Sequence, residues 1–279
     1  MNPEQENTIS RKDLIYMTKI YTKANRFEEA IEFSLAYIEL NPVLTNDERN
    51  LFVTAFKNQM SKKRSAWRKI HNNEKKVLKE DFENNVKSKN PKNDYLKEIK
   101  HKIEKELRTA ISLMLNALNN YLLPPCEENP ESAVFYLKLK GDYCRYLSEI
   151  TGGEDREGAI AEAEDNYNTA YHISEETLPI TSVTRLGLCL NYSVFLWEVK
   201  LMQQEAALVA QNAFNQVIDR LEDLEKIKAK DAILIIQLLK ENLMMWSKEI
   251  VDDGEEEEGG VMDLEEDQEM MDGQNYQIS

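Results

Sequence analysis

Two predicted helices carry cations at a spacing that places them on one face of each helix. Lys57 and Arg64 lie seven residues apart on the first helix. Lys138 and Arg145 lie seven apart on the second, with Tyr146 beside that stripe. Residues seven apart share a helix face, so antiparallel packing with facing stripes would bring both sets together. Guanidinium forks, an ammonium charge and a neutral phenol donor suit a doubly charged phosphate.

The same charges have a simpler interpretation, in which they form a solvated surface paired with nearby acids. Asp142 lies between Lys138 and Arg145 on the same helix face. The run of cations at residues 62–64 could be no more than such a surface. Arg145 favours the binding interpretation, because its neighbours lie on a largely apolar helix. A charge in that setting is expected to lie in a cleft. The residues alone leave both interpretations open.

Two asparagines lie within apolar stripes of two further predicted helices. Asn191 shares a stripe with Leu190 and Val194, and Asn242 shares one with Leu238. An amide in such a stripe must find hydrogen-bond partners or lose free energy. Each asparagine could bond a neighbouring helix. Alternatively, each could hold the main chain of an extended ligand through its C=O and NH₂ groups.

The composition predicts an all-α fold that positions these stripes. The 279 residues include only 9 Gly and 7 Pro, and good helix formers dominate. Asn46 is the expected N-cap of the third helix, and Gly152 with Gly153 is expected to end the fifth. The helical patterns predict nine helices, and the short loops between them make successive helices antiparallel. These cover residues 10–24, 27–40, 46–80, 93–120, 131–148, 156–175, 183–200, 204–221 and 229–249.

The net charge of −16 is concentrated at one end of the chain. Residues 251–279 hold 12 Asp or Glu and no Lys or Arg, which leaves −4 for the other 250 residues. We therefore predict a helical domain over residues 1–250 and an acidic, disordered tail over residues 251–279. This charge argues against general affinity for nucleic acids or anionic membranes, while the body can still hold a local basic site.

Several function classes lack their sequence signals. No apolar run approaches the roughly 20 residues that span a bilayer, and the first residues have no signal-peptide core. Three scattered cysteines predict free thiols in a reducing compartment, hence a cytoplasmic protein, with access to the nucleus left open. No nucleophile–base set, HExxH motif or Gly-rich phosphate loop occurs. We expect no enzyme activity, no cofactor and no metal.

Four blocks of the chain, in order, resemble the 14-3-3 family of phosphopeptide-binding adaptors. They read ERNLFVTAFKN, VFYLKLKGDYCRYLSE, RLGLCLNYSVF and QLLKENLMMW, within a resemblance that covers about residues 10–249. The resemblance implies nine antiparallel helices with one amphipathic groove in each protomer of a dimer. It implies a phosphate site of Lys57, Arg64, Arg145 and Tyr146. It implies that the peptide backbone and groove contacts come from Lys138, Leu190, Asn191, Val194, Glu198, Leu234, Leu238, Asn242 and Trp246.

The resemblance also implies a homodimer interface. Arg26 matches a position that pairs with Glu106 of the partner chain, and Glu29 one that pairs with Lys102. The other expected interface residues are Ile20, Ala24 and Ile99, the last in place of a usual tyrosine. The region between Trp67 and Ile99 is longer than the family pattern, and Ala66 stands where many members carry a regulatory serine.

The leading functional hypothesis is an adaptor for phosphoserine or phosphothreonine segments of client proteins. The alternative is a helical scaffold that binds unmodified acidic or amphipathic segments. A further hypothesis concerns the acidic tail, which is long enough to reach its own groove and would compete with clients there at low salt.

Overall fold

The computed structural model describes residues 9–83, 91–218, 220 and 226–255, with residues 226–229 and 250–255 described by their backbone alone. The all-α prediction is confirmed for these residues, which form nine α-helices, one π-helical turn and one 3-10 turn. In chain order these are α1 Arg11–Lys23, α2 Phe27–Leu40, α3 Asn46–Glu83, α4 Pro91–Ala117, the π turn Leu118–Leu122, the 3-10 turn Pro124–Cys126, α5 Pro130–Glu149, α6 Gly153–Thr177, α7 Val183–Glu198, α8 Gln203–Ile218 and α9 Lys226–Glu255.

The first compact unit comprises the described residues up to 122. In it, α1 packs on α2 and α3 packs on α4. Phe52 and Phe56 of α3 and Leu107 and Ile111 of α4 are each at most 1% exposed. Both pairs are four residues apart, so each pair lies on one helix face. Burying such a side chain contributes about 1.5–3 kcal/mol, which holds α3, and so the cations that it carries, in place within this unit.

Helix α3 begins with a reciprocal cap. Thr45 Oγ1 accepts a hydrogen bond from the N–H of Glu48 at 3.3 Å, and Glu48 Oε2 accepts one from the N–H of Thr45 at 2.9 Å. This is a capping box, in which the threonine is the N-cap. Asn46 is the first helical residue, so its predicted role as N-cap is wrong. Arg11 of α1 also donates to Glu48 at 2.6 Å, which ties α1 to this helix start.

Helix α3 ends later than predicted, and helix α4 begins earlier than predicted. Helix α3 continues to Glu83, and α4 begins at Pro91, where the proline occupies the first turn. Within this pair, Trp67 Nε1 donates to Glu104 at 3.0 Å, and Lys100 bonds the buried carboxylate of Glu74. The expected longer connection falls partly on residues 84–90, which lie outside the described residues.

The second compact unit comprises the described residues from 123 onward. Helix α5 packs along α6, α7 packs on α8 and α9, and α5 also contacts α7. Gly141 permits close approach of α5 and α6, since a Cβ there would lie 3.0 Å from three ring carbons of Tyr167. Buried Ala159, Ala163 and Ala170 keep the α6 surface small as well.

The boundary between α5 and α6 differs from the prediction. Helix α5 ends at Glu149, and the C-cap N–H of Ile150 donates to the carbonyl of Leu147 at 3.2 Å. Gly152 is the N-cap position of α6, and Gly153 opens that helix with φ +56°. The glycines therefore begin the sixth helix, and their predicted role in ending the fifth is wrong. A positive φ at Gly153 favours glycine, which adopts it without the steric cost that a Cβ brings.

Helix α9 continues to Glu255, five residues into the predicted acidic tail. The rest of that tail, residues 256–279, lies outside the described residues, so the division into body and tail stays a prediction. Among the described residues, no helix is both long enough and apolar enough to cross a membrane.

Candidate functional site

The first unit supplies the cations of α3. Arg64 is 4% exposed and Lys57 is half-buried, and both are engaged in further interactions. Their neighbour Lys63 pairs with Glu106 at 2.8 Å and lies 3.5 Å from Glu28. A guanidinium as buried as Arg64 is unusual on a simple solvated surface. The alternative interpretation of these charges therefore fits Lys63 better than Arg64.

The second unit supplies Arg145 and Tyr146 from α5. Arg145 is 8% exposed, and its Cζ lies 4.8 Å from the ring centroid of Tyr146. Its Nη1 lies 3.7 Å from Glu149 Oε1, too far for a hydrogen bond. Its buried Nε has no hydrogen-bond partner in the described parts of the chain. This guanidinium therefore keeps an unused donor beside an aromatic ring.

Arg145 remains charged despite its burial. Burial favours the neutral form, but the surrounding tyrosines and carboxylates raise the pKa of Arg145 well above its ordinary value. A fixed cation with an unused donor is suited to a charge-assisted hydrogen bond to an anionic oxygen.

A buried carboxylate, Asp142, joins three helices of the second unit. It is 4% exposed. Its Oδ2 accepts from Lys138 Nζ at 2.8 Å on α5, and its Oδ1 accepts from Tyr167 on α6 at 2.5 Å and from Asn191 on α7 at 2.8 Å. The structure thus brings together Lys138 and Asn191, both predicted as site residues, through a residue that had no assigned role.

The charge of Asp142 is retained. Burial alone would raise the pKa of this carboxyl, but the charges of Lys138 and Arg145, with hydrogen bonds from Lys138 and Tyr167, lower it below its ordinary value. Burial and the neighbouring carboxylate raise the pKa of the Tyr167 phenol well above its ordinary value, so the phenol keeps its proton near neutral pH. It donates that proton's hydrogen bond to the carboxylate.

The predicted apolar wall lies on α7 and α9, two helices that pack on each other. Leu190 and Val194 on α7 and Leu234 and Leu238 on α9 are all half-buried, so part of each side chain remains accessible. Glu198, at the last residue of α7, is exposed. An accessible apolar strip next to polar residues is the usual composition of a ligand cleft.

Two predicted groove residues of α9 are more deeply buried than the others. Asn242 is 3% exposed and Trp246 is 2% exposed. The indole of Trp246 stacks on Trp197, with ring centroids 4.6 Å apart and an angle of 9° between the planes. In this structure Trp246 therefore fixes α9 against α7.

The predicted dimer residues lie on accessible faces of the first unit. Ile20 is 42% exposed and Ile99 is 45% exposed, and Ala24 and Lys102 are exposed as well. Three of the charged members have partners within the chain: Arg26 pairs with Glu29, and Glu106 pairs with Lys63. Pairing across a dimer would have to replace or share these contacts.

The structure groups only part of the predicted phosphate site. Arg145 and Tyr146 are in contact, whereas Lys57 and Arg64 belong to the first unit and stay a prediction for this site. Tyr167 was missed, because it lies 25 residues after its partner Asp142 and no local pattern connects them. The glycine next to Asp142 could have indicated that a bulky side chain approaches α5 there.

The cysteines do not add a reactive group. Cys126, Cys144 and Cys189 are buried free thiols. Burial raises the pKa of Cys144 and of Cys189 to about 12, so neither thiol ionises near neutral pH.

Comparisons with known proteins agree with the resemblance. A family model described as "14-3-3 protein" matches residues 17–247. The chain is 37% identical to 14-3-3 protein eta of Homo sapiens over 251 residues, which cover 90% of this chain and 98% of that protein. It has the same identity and coverage with 14-3-3 protein eta of Bos taurus. The matched range includes all the predicted site residues.

Proposed function

Because the chain belongs to the 14-3-3 family, we propose that it is an adaptor that binds phosphoserine or phosphothreonine segments of client proteins and regulates them. The observation that carries this proposal is Arg145, a buried and permanently charged guanidinium whose Nε–H lacks a partner among the described residues. A buried donor of this kind is costly unless a ligand accepts its hydrogen bond. A phosphate oxygen is such an acceptor.

The proposed phosphate-binding set is Lys57, Arg64, Arg145 and Tyr146. For Lys57 and Arg64 the assignment rests on the family resemblance, and for Arg145 and Tyr146 it is supported by their contact. Each charge-assisted hydrogen bond contributes about 1.5–3 kcal/mol. Several such bonds would separate phosphorylated from unphosphorylated segments by orders of magnitude in affinity.

The rest of the groove would hold the client segment in an extended conformation. Asn191 and Asn242 would bond its main chain, and the half-buried leucines and valine of α7 and α9 would contact its apolar side chains. Lys138 is neutralised by Asp142, so it would contribute as a hydrogen-bond donor more than as a free charge. By the family resemblance, Glu198 and Trp246 would bound the ends of this contact surface.

The protein would act without catalysis, cofactor or metal, in the cytoplasm, as a homodimer. The exposed Ile20 and Ile99 are apolar side chains that association could cover. The ion pairs of Arg26 and Glu106 within the chain would be exchanged for pairs with the second protomer. A dimer presents two grooves and so gains affinity for clients with two phosphorylated segments.

A degenerate peptide library tests the proposal. One version of the library carries a fixed phosphoserine, and a second version carries serine at the same position. We expect the immobilised protein to retain sequences from the phosphorylated library alone. Equal retention of acidic sequences from both libraries would contradict the proposal and would favour a scaffold for unmodified acidic segments.

A further inference from the structure

Asp142 is a buried charge that accepts three hydrogen bonds and has no direct role in the proposed function. Its donors come from three helices: Lys138 on α5, Tyr167 on α6 and Asn191 on α7, at 2.8, 2.5 and 2.8 Å. Two of these donors hold the same oxygen, Oδ1, and the third holds Oδ2. The carboxylate is therefore fixed in both position and orientation.

The ionised carboxylate determines how the Asn191 amide is turned. An ionised carboxylate can only accept hydrogen bonds, whereas an asparagine amide has an NH₂ group that donates and a C=O that accepts. Asn191 must therefore present its NH₂ to Asp142. Its C=O is not used by Asp142, and the residue as a whole is half-buried, so this oxygen remains the group that could accept a hydrogen bond from a ligand.

We propose that Asp142 is a positioning residue that holds the Asn191 amide with its carbonyl oxygen toward the ligand, so that Asn191 accepts a hydrogen bond from a main-chain N–H of the bound peptide. This inference rests on the proposed function and narrows it. Asn191 acts as an acceptor at that point of the peptide, and a peptide residue without an N–H is disfavoured there. Proline is the natural residue that lacks this donor.

The packing around Asp142 is built to keep this orientation. The absence of a side chain at Gly141 lets the Tyr167 ring cross α5 and place its hydroxyl on the carboxylate. Among the described residues, the charges that act most strongly on Asp142 are Lys138 and Arg145 on its own helix, and the groups that bond it from α6 and α7, Tyr167 and Asn191, are uncharged donors. These contacts favour the ionised form of Asp142, which is the form that requires the NH₂ group of Asn191.

Replacing Asp142 by asparagine should turn the Asn191 amide over, so that its C=O and NH₂ groups exchange places. The asparagine side chain has one acceptor, its C=O. The ammonium group of Lys138 can only donate hydrogen bonds, so this C=O must face Lys138. The new NH₂ group would then face Asn191, and Asn191 would turn its C=O inward to accept from it. The ligand would meet an NH₂ group in place of a carbonyl oxygen.

An ester scan of a bound phosphopeptide tests this. Each main-chain N–H near the phosphoresidue is replaced by oxygen, one position at a time, and the affinities are measured by calorimetry. With the wild-type protein we expect one position at which the ester weakens binding about five- to tenfold, the usual effect of losing one hydrogen bond. With Asp142→Asn, and with Asn191→Ala, that penalty should disappear.

Asp165→Asn is the matched control. Asp165 is an exposed acid on α6, so this change removes one negative charge from the same unit and should leave the ester penalty intact.

If Asp142→Asn does not fold, a measurement on the wild-type protein alone still tests whether Asn191 accepts the hydrogen bond. The ¹³Cγ resonance of Asn191 should differ between the amide peptide and the sensitive ester, because its oxygen accepts a hydrogen bond only from the amide.

The outcomes separate the inference from the proposed function. Phosphate-dependent binding with no ester-sensitive position, or an undiminished penalty in Asp142→Asn, would overturn the role of Asp142 and leave the adaptor function in place. An Asn191 resonance that does not distinguish the amide from the esters would also overturn it. Absence of any phosphopeptide binding would overturn both.

Discussion

Replacing Arg145 by lysine keeps the positive charge of α5 and removes the planar fork. The guanidinium is 8% exposed, its Nε–H lacks a partner within the described chain, and its Nη1 is 3.7 Å from Glu149. Its donors are therefore available to a phosphate. A lysine in the same place would keep one point contact and lose the second, which contributes about 1.5–3 kcal/mol. We expect Arg145→Lys to weaken phosphopeptide binding about 10- to 150-fold.

The assay is a titration of a fluorescent phosphopeptide, followed by anisotropy, with urea unfolding of each variant alongside. The unfolding free energy should fall by no more than about 2 kcal/mol, the value of a desolvated cation–π contact such as that of Arg145 with Tyr146. Arg185→Lys is the control, because Arg185 is an arginine of the same unit that donates to the carbonyl of Leu178 at 3.0 Å and lies outside the proposed groove. Unchanged affinity in Arg145→Lys, or an equal loss in Arg185→Lys, would refute the reasoning.

Three further predictions follow from single features of the chain. Asp142→Asn should lower the unfolding free energy at pH 7 and less so in acid: the pKa of Asp142 is below its ordinary value of 3.8, so its stabilisation is present above that pH and is lost as the pH falls through the folded-state pKa. Urea midpoints from pH 7 to 3 measure this, and a constant difference between wild type and variant would be inconsistent with it. Leu201→Asn should stabilise the protein by about 1 kcal/mol, since Leu201 is 76% exposed with φ +56°, a conformation that costs a leucine more than an asparagine. Asn25, with φ 58°, is the reciprocal control: Asn25→Leu should lower the melting temperature, and a rise there or a fall in Leu201→Asn would argue against backbone strain. Arg26→Glu and Glu106→Arg should each weaken self-association, and the double variant should restore it; sedimentation of the wild type as a monomer at micromolar concentration would contradict the dimer.

The sequence predicted which residues share a helix face, because that depends only on the period of the helix. It placed Asp142 on the same face as Lys138 and Arg145, and in the structure Lys138 and Asp142 form an ion pair at 2.8 Å. It could not predict which side chain crosses from another helix. Tyr167 and Asn191 reach Asp142 from 25 and 49 residues away, and such contacts depend on how helices pack.

Helix ends were predicted less well than helices, because competing caps lie within a few residues of each other. Thr45 and Asn46 are both good N-cap residues, and the reciprocal bond with Glu48 decides for Thr45. Gly152 and Gly153 could end one helix or begin the next, and the short turn after Glu149 lets them begin α6. The burial of Trp246 depends on its stacking with Trp197, which only tertiary packing creates.

The second ionisation of a bound phosphate tests the central claim most directly. The ³¹P resonance of a phosphoserine peptide is followed between about pH 8 and pH 5, free and at saturating protein. The free phosphate takes up its second proton near pH 6. Fixed cations such as Arg145 favour the dianion, so the account predicts that the pKa of the bound phosphate falls by about one unit or more. A bound phosphate whose pKa equals that of the free peptide would contradict the claim that this chain reads phosphorylation through a cationic pocket.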